Sequence, residues 1–180
     1  TSFVPDVGTK EVEDIADAGD GTVYVGGLIT KVNGTSRSKV ARINATTGAL
    51  VTAFKPPTIN GEVSDLQLAD GRLYVGGSFT TVGGVARTLL VALDAATGAD
   101  TNTVNLTFGD PWNGGSMGIK HFDISDDGST LVAVGNFTTV NGQGRYQIAM
   151  LDLTTSPISV ADWSTNRYGD GCSQSFDTYM

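Results

Sequence analysis

The hydrophobic residues of this chain fall in short runs that are separated by turn dipeptides. A representative run, Leu73-Tyr74-Val75, follows the pair Asp70-Gly71. Such Asp-Gly pairs supply the positive φ angles that tight hairpin turns require. No stretch keeps apolar residues at the helical spacing i, i+3, i+4 and i+7 for more than one turn. The pattern therefore predicts an all-β chain of short antiparallel strands with essentially no helix.

Three segments of the chain repeat one another without a gap. Residues 24–34 recur as residues 74–84 and again as residues 132–142. Three glycines, Gly27, Gly77 and Gly135, mark the copies; the first two are 50 residues apart and the last two are 58 apart. A period of this length suits one four-stranded blade of a β-propeller. We expect the three glycines to be structural positions of the blade.

The repeat register divides the chain into parts of a single β-propeller segment, residues 1–180. The expected parts are the outer strand of a preceding blade (1–8), three full blades (9–58, 59–113 and 114–165) and the lead-in to a next blade (166–180). Asp162-Trp163 is expected to be the outer strand of the third blade. Because propellers close with about four to eight blades, we expect this segment to belong to a larger propeller. The remaining blades would lie in the same parent chain or in a second chain.

The charge balance bears on possible partners. The chain has 11 basic and 19 acidic residues, a net charge of −8. A nucleic-acid backbone or an anionic membrane surface would need a positive protein surface, so neither is an expected partner. No run of 18 apolar residues exists that could span a bilayer. Composition and acidity predict an extracellular, secreted or cell-surface domain.

The first strand of each blade carries a polar residue at one repeated position. Asp14, Asp65 and His121 occupy it, and in a propeller the first strands line the axial channel. A cation or polar-ligand site is one interpretation, since carboxylate and imidazole groups suit divalent metals. The alternative is that each side chain accepts hydrogen bonds from nearby backbone or water. The aspartates of the Asp-Gly turns also lack the spacing of the twelve-residue calcium loop. We therefore predict no metal and no other cofactor.

Arg37, Arg87 and Arg145 each lie ten residues after their marker glycine. They could form a row that grips carboxylates or sulfated sugars through bidentate hydrogen bonds. Alternatively, each arginine pairs with an acidic residue and ties down the long loop of its blade. A residue that recurs in every blade favours the second, structural interpretation.

Two residues break the repeat. Trp112 lies in the insertion at residues 108–116, which accounts for the longer second period. It could stack on a sugar, or it could fill the gap between blades. Cys172, the one cysteine, cannot form an internal disulfide, so it is expected either to pair with a cysteine in a missing segment or to be a free thiol.

The repeat resembles a known family. Residues 74–84 and 90–98, Tyr-Val-Gly-Gly-Ser-Phe-Thr-Thr-Val-Gly-Gly and Leu-Val-Ala-Leu-Asp-Ala-Ala-Thr-Gly, resemble the delta-60 type repeat of bacterial secreted and surface β-propeller proteins. A related pattern occurs in Rax2-like fungal proteins, and kelch repeats are a weaker match. The resemblance implies a β-propeller in an extracytoplasmic protein and brings no established catalytic residues.

Two classes of function remain open from the sequence. The first is a noncatalytic binding or scaffold module for a glycan or a protein, with Trp112, Asp14, Asp65 and His121 as candidate ligand-binding residues. The second is an enzyme with an axial site acting on glycans, a hydrolase or a lyase. Glycoside hydrolysis would need two carboxylates about 5 to 9.5 Å apart, and Asp14 and Asp65 are the pair that the register offers. The absence of a non-repeated cluster of His, Asp or Glu favours binding.

Overall fold

The fold is built almost entirely from antiparallel strands. A computed structural model describes residues 3–8 and 10–168, so Cys172 and most of the expected lead-in lie outside the described residues. The only helical turn in the described part is a three-residue 3₁₀ turn, Trp112–Gly114. The prediction of an all-β chain is confirmed.

The longer strands form three similar sheets, which we name blades A, B and C. Blade A contains β1 (Val12–Asp17), β2 (Thr22–Gly27) and β5 (Val40–Asn44), with a small hairpin of β3 (Lys31–Val32) and β4 (Thr35–Ser36). Blade B contains β6 (Val63–Ala69), β7 (Arg72–Gly77) and β10 (Leu90–Asp94), with the hairpin β8 (Thr81–Val82) and β9 (Val85–Ala86). Blade C contains β12 (Gly118–Ile124), β13 (Thr130–Asn136), β16 (Ile148–Asp152) and β17 (Ser159–Val160). Its hairpin consists of β14 (Thr139–Val140) and β15 (Gln143–Gly144), and β11 (Phe108–Gly109) pairs with β14.

The fourth, outer strand of each blade is short. In blades A and B it is a single bridge, between Ile43 and Leu50 and between Leu93 and Asp100. In blade C it is the two-residue strand β17, which pairs with β16. The expectation that Asp162-Trp163 forms this strand is wrong by two or three residues, because the ladder places Val160 opposite Leu151.

The expected boundary between the second and third blades, after residue 113, also disagrees with the strand pairing. Phe108 lies opposite Val140, so residues 108–109 join the hairpin of blade C, although the register assigned them to the second blade. The insertion that follows them therefore belongs structurally to blade C.

The Asp-Gly turn of blade B behaves as its sequence predicts, whereas in blades A and C only the glycine of the pair, Gly21 or Gly128, has a positive φ. Between β6 and β7, Asp70 has a φ of 48° and Gly71 a φ of 71°. Positive φ at both central residues is the signature of the type I′ hairpin turn, whose twist matches that of paired strands. The turn therefore sets the register of β6 on β7, where Ala69 lies opposite Arg72.

The hydrophobic core lies mostly between blades. One buried cluster joins Tyr24 and Phe54 of blade A to Val63 and Leu66 of blade B. A second joins Tyr74 of blade B to residues of blade C, including Phe122. The first strands β1, β6 and β12 are neighbours in space, so the polar positions on them are brought close together.

Candidate functional site

Each first strand has a β-bulge just before its repeated polar residue. The pairing register shifts between Val12 and Asp14, between Val63 and Asp65, and between Ile119 and His121. A bulge inserts one unpaired residue and redirects the side chains that follow it. The residues inserted at the three bulges are Glu13, Ser64 and Lys120.

In blades A and B, the aspartate after the bulge bonds to the next blade. The Leu66 N–H of β6 donates to Asp14 Oδ2 over 2.7 Å, and the Phe122 N–H of β12 donates to Asp65 Oδ2 over 2.6 Å. These first strands are at the edges of their sheets, where some backbone N–H groups have no strand partner and must bond elsewhere. The aspartates satisfy two of these donors and join one blade to the next.

Other contacts between blades follow the same direction. The Tyr24 hydroxyl of blade A donates to the Ala95 carbonyl of blade B over 2.6 Å. The Ser64 hydroxyl of blade B donates to the Ile119 carbonyl of blade C over 2.6 Å. In each of these bonds the earlier blade contributes a side chain and the later blade contributes backbone.

The structure brings the two axial aspartates into direct contact. The Leu66 nitrogen is 2.7 Å from Asp14 Oδ2 and 2.9 Å from Asp65 Oδ1, so both carboxylates share one donor. Burial raises the pKa of Asp65 to about 6, and the hydrogen bond and negative charge of Asp14 add to the increase, while the Phe122 N–H and His121 oppose it. Asp65 therefore holds a proton more readily than an ordinary aspartate.

His121 lies next to Asp65 at the third of these positions, but its side chain is exposed, unlike those of the two aspartates. Its Nδ1 lies 3.7 Å from Asp65 Oδ2, and its side chain is 76% exposed. Asp65 thus lies between Asp14 and His121 and is close to both. Within residues 3–8 and 10–168, no group of three or more His, Cys, Asp or Glu residues has a metal-binding arrangement. Asp14 and Asp65 instead accept backbone hydrogen bonds, as in the alternative interpretation.

The carboxylates of the Asp-Gly turns are occupied by local hydrogen bonds. Asp20 Oδ1 accepts from both the backbone and the hydroxyl of Thr22. Asp127 Oδ1 accepts from the Ser125 hydroxyl and from the backbone and hydroxyl of Ser129, which lowers the pKa of Asp127 to about 2. Such Asx turns fix the hairpin, so these side chains have a local structural use.

A groove of about 230 Å³ lies next to this axial row, between blades B and C. Two of the residues inserted at the bulges, Ser64 and Lys120, line it, and they precede Asp65 and His121 in the chain. The lining is mainly polar and contains both an acid and a base. The other residues that line the groove are Glu62, Ser78, Ser116, Met117, Gly118, Ile119 and Asn136.

Asn136, which lines the groove, holds the insertion around Trp112 in place through two hydrogen bonds. The backbone N–H of Trp112 donates to Asn136 Oδ1 over 2.7 Å, and Asn136 Nδ2 donates to the Ser116 carbonyl over 3.0 Å. One amide side chain therefore fixes both sides of the 3₁₀ turn. The sequence reasoning missed Asn136, although a signal exists: blades A and B have Leu28 and Ser78 at this repeat position.

Trp112 is half-buried beside this turn. Its ring packs edge-to-face on Tyr146, with a centroid distance of 6.3 Å. Its indole Nε1 is buried without a hydrogen-bond partner among the described residues. This ring contact lies within blade C, and Trp112 is not one of the residues that line the groove.

The three repeated arginines are buried, each only 7% exposed. Each donates from Nη1 to the carbonyl of the residue before it. Arg87 also pairs with Asp100 over 2.8 Å, and its Nη2 donates to Asn102 Oδ1. Among the described residues, Arg37 and Arg145 have no acidic partner within 4.0 Å, so the expected ion pair is present for Arg87 alone. Buried guanidinium groups are not presented to a ligand.

Blades A and B each have a Gly-Gly pair at the marker position, Gly26-Gly27 and Gly76-Gly77, and the two glycines have separate uses. A Cβ at Gly27, Gly77 or Gly135 would collide with the carbonyl oxygen of Glu11, Glu62 or Gly118, at the start of the first strand of the same blade or one residue before it. The preceding glycine, Gly26 or Gly76, makes room for side chains of the following blade. The marker glycines are therefore positions where the fold excludes any side chain.

The fold can now be assigned from comparison as well as geometry. A family model described as a domain of unknown function (DUF5122) beta-propeller matches residues 18–50 and 68–95. The blades are those of a β-propeller. The matched residues lie in blades A and B, and the groove-forming insertion lies outside them. No curated protein matches the chain significantly. No helix in the described part of the β-propeller has the length and hydrophobicity to cross a bilayer.

Proposed function

We propose that this β-propeller segment is a noncatalytic binding module that holds a glycan in the groove between blades B and C. The observation that carries the proposal is that the groove lies where the repeat is broken. Ser116, Met117 and Asn136 line it, and the insertion around Trp112 forms its wall. Residues that recur in every blade form the propeller scaffold, whereas residues found in one blade only are available to bind a ligand.

The lining of the groove suits the hydroxyl groups of a sugar. The hydroxyls of Ser64, Ser78 and Ser116 and the carboxylate of Glu62 offer both donors and acceptors. Its volume of about 230 Å³ is below the roughly 300–1,000 Å³ of drug-sized pockets. One sugar unit at the end or side of a glycan is therefore the proposed ligand.

The proposal extends to the setting of the protein. We place the module outside the cell or on the cell surface, where it binds or scaffolds glycan-bearing partners. The acidic composition and the resemblance of residues 74–84 to delta-60 type repeats support this. We also propose that the repeat is related to that of Rax2-like proteins, with kelch repeats as the weaker match.

The geometry of the axial aspartates favours binding over glycoside hydrolysis. A hydrolase needs two carboxyl groups on opposite sides of the scissile bond, about 5 to 9.5 Å apart. Asp14 and Asp65 instead share the Leu66 N–H, and Asp65 is buried. No sugar fits between two carboxylates in contact.

A glycan array followed by calorimetric titration of the best ligand tests the proposal. Glu62→Gln should weaken binding about tenfold or more, because a hydrogen bond to a charged group contributes roughly 1.5–3 kcal/mol. Glu11 is the matched control, since its carbonyl has the same place in blade A that the Glu62 carbonyl has in blade B. Glu11→Gln should leave affinity unchanged.

A second pair of variants separates the groove from the rest of the surface. Trp112→Ala should weaken binding by loosening the wall, while Trp163→Ala, at the exposed second tryptophan, should not. Equal affinities in all four variants, or no glycan bound by the folded wild-type protein, would reject the groove as a glycan site.

A further inference from the structure

Arg37 differs from the other two repeated arginines in the partners of its guanidinium group. All three side chains are buried to the same degree, and each bonds through Nη1 to the preceding carbonyl. Arg87 bonds in addition to a carboxylate and to an amide oxygen. Arg145 bonds in addition to an amide oxygen and to a second carbonyl. Arg37 makes no further side-chain hydrogen bond within the described ranges.

The difference comes from the outer segment of each blade. In blade B this segment supplies Asp100 and Asn102 to the arginine. The equivalent bridge in blade A has Leu50 in the place of Asp100, and Thr52 follows it as Asn102 follows Asp100. Blade A therefore keeps the buried arginine of the repeat and lacks the carboxylate that neutralises it in blade B.

A buried guanidinium group without a counterion opposes folding. Arginine cannot avoid this cost by losing its proton, because its side chain stays charged in proteins. An ion that leaves water needs a partner of opposite charge or a full set of hydrogen bonds. In the described part of the chain, no carboxylate oxygen lies within 4.0 Å of Arg37. A negative charge from solution would supply the missing partner.

The guanidinium group of Arg37 offers one nitrogen to such a charge. Nη1 donates to the Ser36 carbonyl over 2.8 Å, and Nε is enclosed without a partner. Nη2 is neither enclosed nor bonded to the described residues. The burial of the side chain keeps a large ligand away, whereas a monatomic ion needs only this accessible nitrogen.

We propose that Arg37 binds a small inorganic anion of the chloride class at Nη2. The anion acts in blade A as the Asp100 carboxylate acts in blade B, by neutralising the repeated arginine. This site is independent of the proposed glycan groove, because the residues that line the groove belong to blades B and C.

Exchange of the anion in solution, combined with exchange of Leu50, tests the proposal on the whole chain. Thermal unfolding is measured in sodium chloride and in sodium gluconate, whose anion is bulky, at equal ionic strength. Chloride should raise the melting temperature of the wild-type protein by about 2 °C or more relative to gluconate, as expected for a ligand that binds the folded state.

Two variants at Leu50 separate charge from shape. Leu50→Asp installs the acid of blade B, so in gluconate it should melt higher than the wild type, and its melting temperature should not respond to chloride. Leu50→Asn is the matched control, since it has the same shape without the charge. Its melting temperature should keep the response to chloride.

Bromide locates the anion directly. Crystals of the wild-type protein grown with bromide in place of chloride should show an anomalous scattering peak in contact with Arg37 Nη2. The glycan groove plays no part in either measurement, so a failure here is distinct from a failure to bind glycan.

Each outcome decides the proposal. An equal response to chloride in the wild type, Leu50→Asp and Leu50→Asn would be a general effect of the salt and would overturn it. Equal melting of the wild type in both salts, or bromide found only away from Arg37, overturns it as well. If Leu50→Asp does not fold, the position of bromide in the wild-type crystals decides alone.

Discussion

At the scale of single residues, Asp65 combines a structural and an ionisable role. It accepts the Phe122 N–H, and it is buried in contact with Asp14. Its pKa is therefore raised from 3.8 to about 6. The folded state binds this proton more tightly than the unfolded state, so Asp65 contributes stability that is fully present below about pH 3.8 and lost as pH rises through about 6.

We expect the wild-type protein to melt at a higher temperature at pH 5 than at pH 7. Asp65→Asn mimics the protonated carboxyl, so it should flatten this dependence and melt at pH 7 at least as high as the wild type. Asp127, whose pKa is about 2, does not titrate in this range. Thermal unfolding by circular dichroism at several pH values makes the measurement.

Two further variants show whether Asp65 is the titrating group. Asp65→Ala removes the acceptor for the Phe122 N–H and should cost about 1–3 kcal/mol at both pH values. His121→Ala leaves the carboxyl pair in place, so the pH dependence should persist. A flat profile for His121→Ala would contradict the assignment of the pH dependence to Asp65.

The pair of Arg87 and Asp100 is the second residue-scale feature with a measurable consequence. Both side chains are at least 86% buried, and they are 2.8 Å apart. Asp100→Leu, which installs the residue that blade A has at Leu50, should lower the free energy of unfolding by about 3–5 kcal/mol because it leaves a buried charge unpaired. Urea denaturation measures the loss.

The exposed pair of Lys31 and Asp6, 3.3 Å apart, is the control for Asp100→Leu. Lys31→Met should cost less than about 1 kcal/mol, since exposed ion pairs contribute little. If Asp100→Leu is as mild as Lys31→Met, the guanidinium of Arg87 is satisfied by its carbonyl and amide partners alone.

At the scale of elements, the 3₁₀ turn Trp112–Gly114 depends on one side chain outside it. Asn136→Ser, which installs the blade B residue Ser78, removes both hydrogen bonds to the turn. We expect the turn to loosen, at a cost of about 1–3 kcal/mol, with a shift of Trp112 emission to longer wavelength. The measurement uses a Trp163→Phe background, so that Trp112 is the one emitting tryptophan; unchanged emission would mean that Tyr146 alone holds the ring.

The sequence predicted the elements that repeat and missed those that do not. The Asp70-Gly71 turn, the adjacency of β1, β6 and β12 and the all-β fold follow from local turn chemistry and from the period. The outer strand of blade C was misplaced because a two-residue strand has no periodicity to detect. Asn136 and the groove were missed because both arise from contacts between an insertion and a distant strand.

At the scale of the whole molecule, the blades have unequal neighbours within the described range. Blade B is packed on both sides, and its central strand β7 is fully enclosed, while blade A leaves Val12 and Ile15 exposed. In repeat folds, the local stability of each unit depends largely on its contacts with the neighbouring units.

Amide hydrogen exchange should therefore be slowest in β7 and roughly tenfold or more faster in β1, because fewer buried contacts oppose local opening there. Exchange measured by mass spectrometry on native protein resolves the two strands. Equal protection of β1 and β7 would show that the molecule opens only as one unit.

The direction of the bonds between blades has a consequence for how this fold tolerates change. Asp14, Asp65, Tyr24 and Ser64 reach from one blade to carbonyl or N–H groups of the next. Every residue type except proline supplies both groups, so these hydrogen bonds do not depend on the side chains at the bonded positions of the later blade, whereas Val63 and Leu66 must still fit against Gly26. A blade that keeps this apolar pair can change its other side chains at the contact and still form the hydrogen bonds, so such proteins can gain, lose or exchange whole blades with few coordinated mutations.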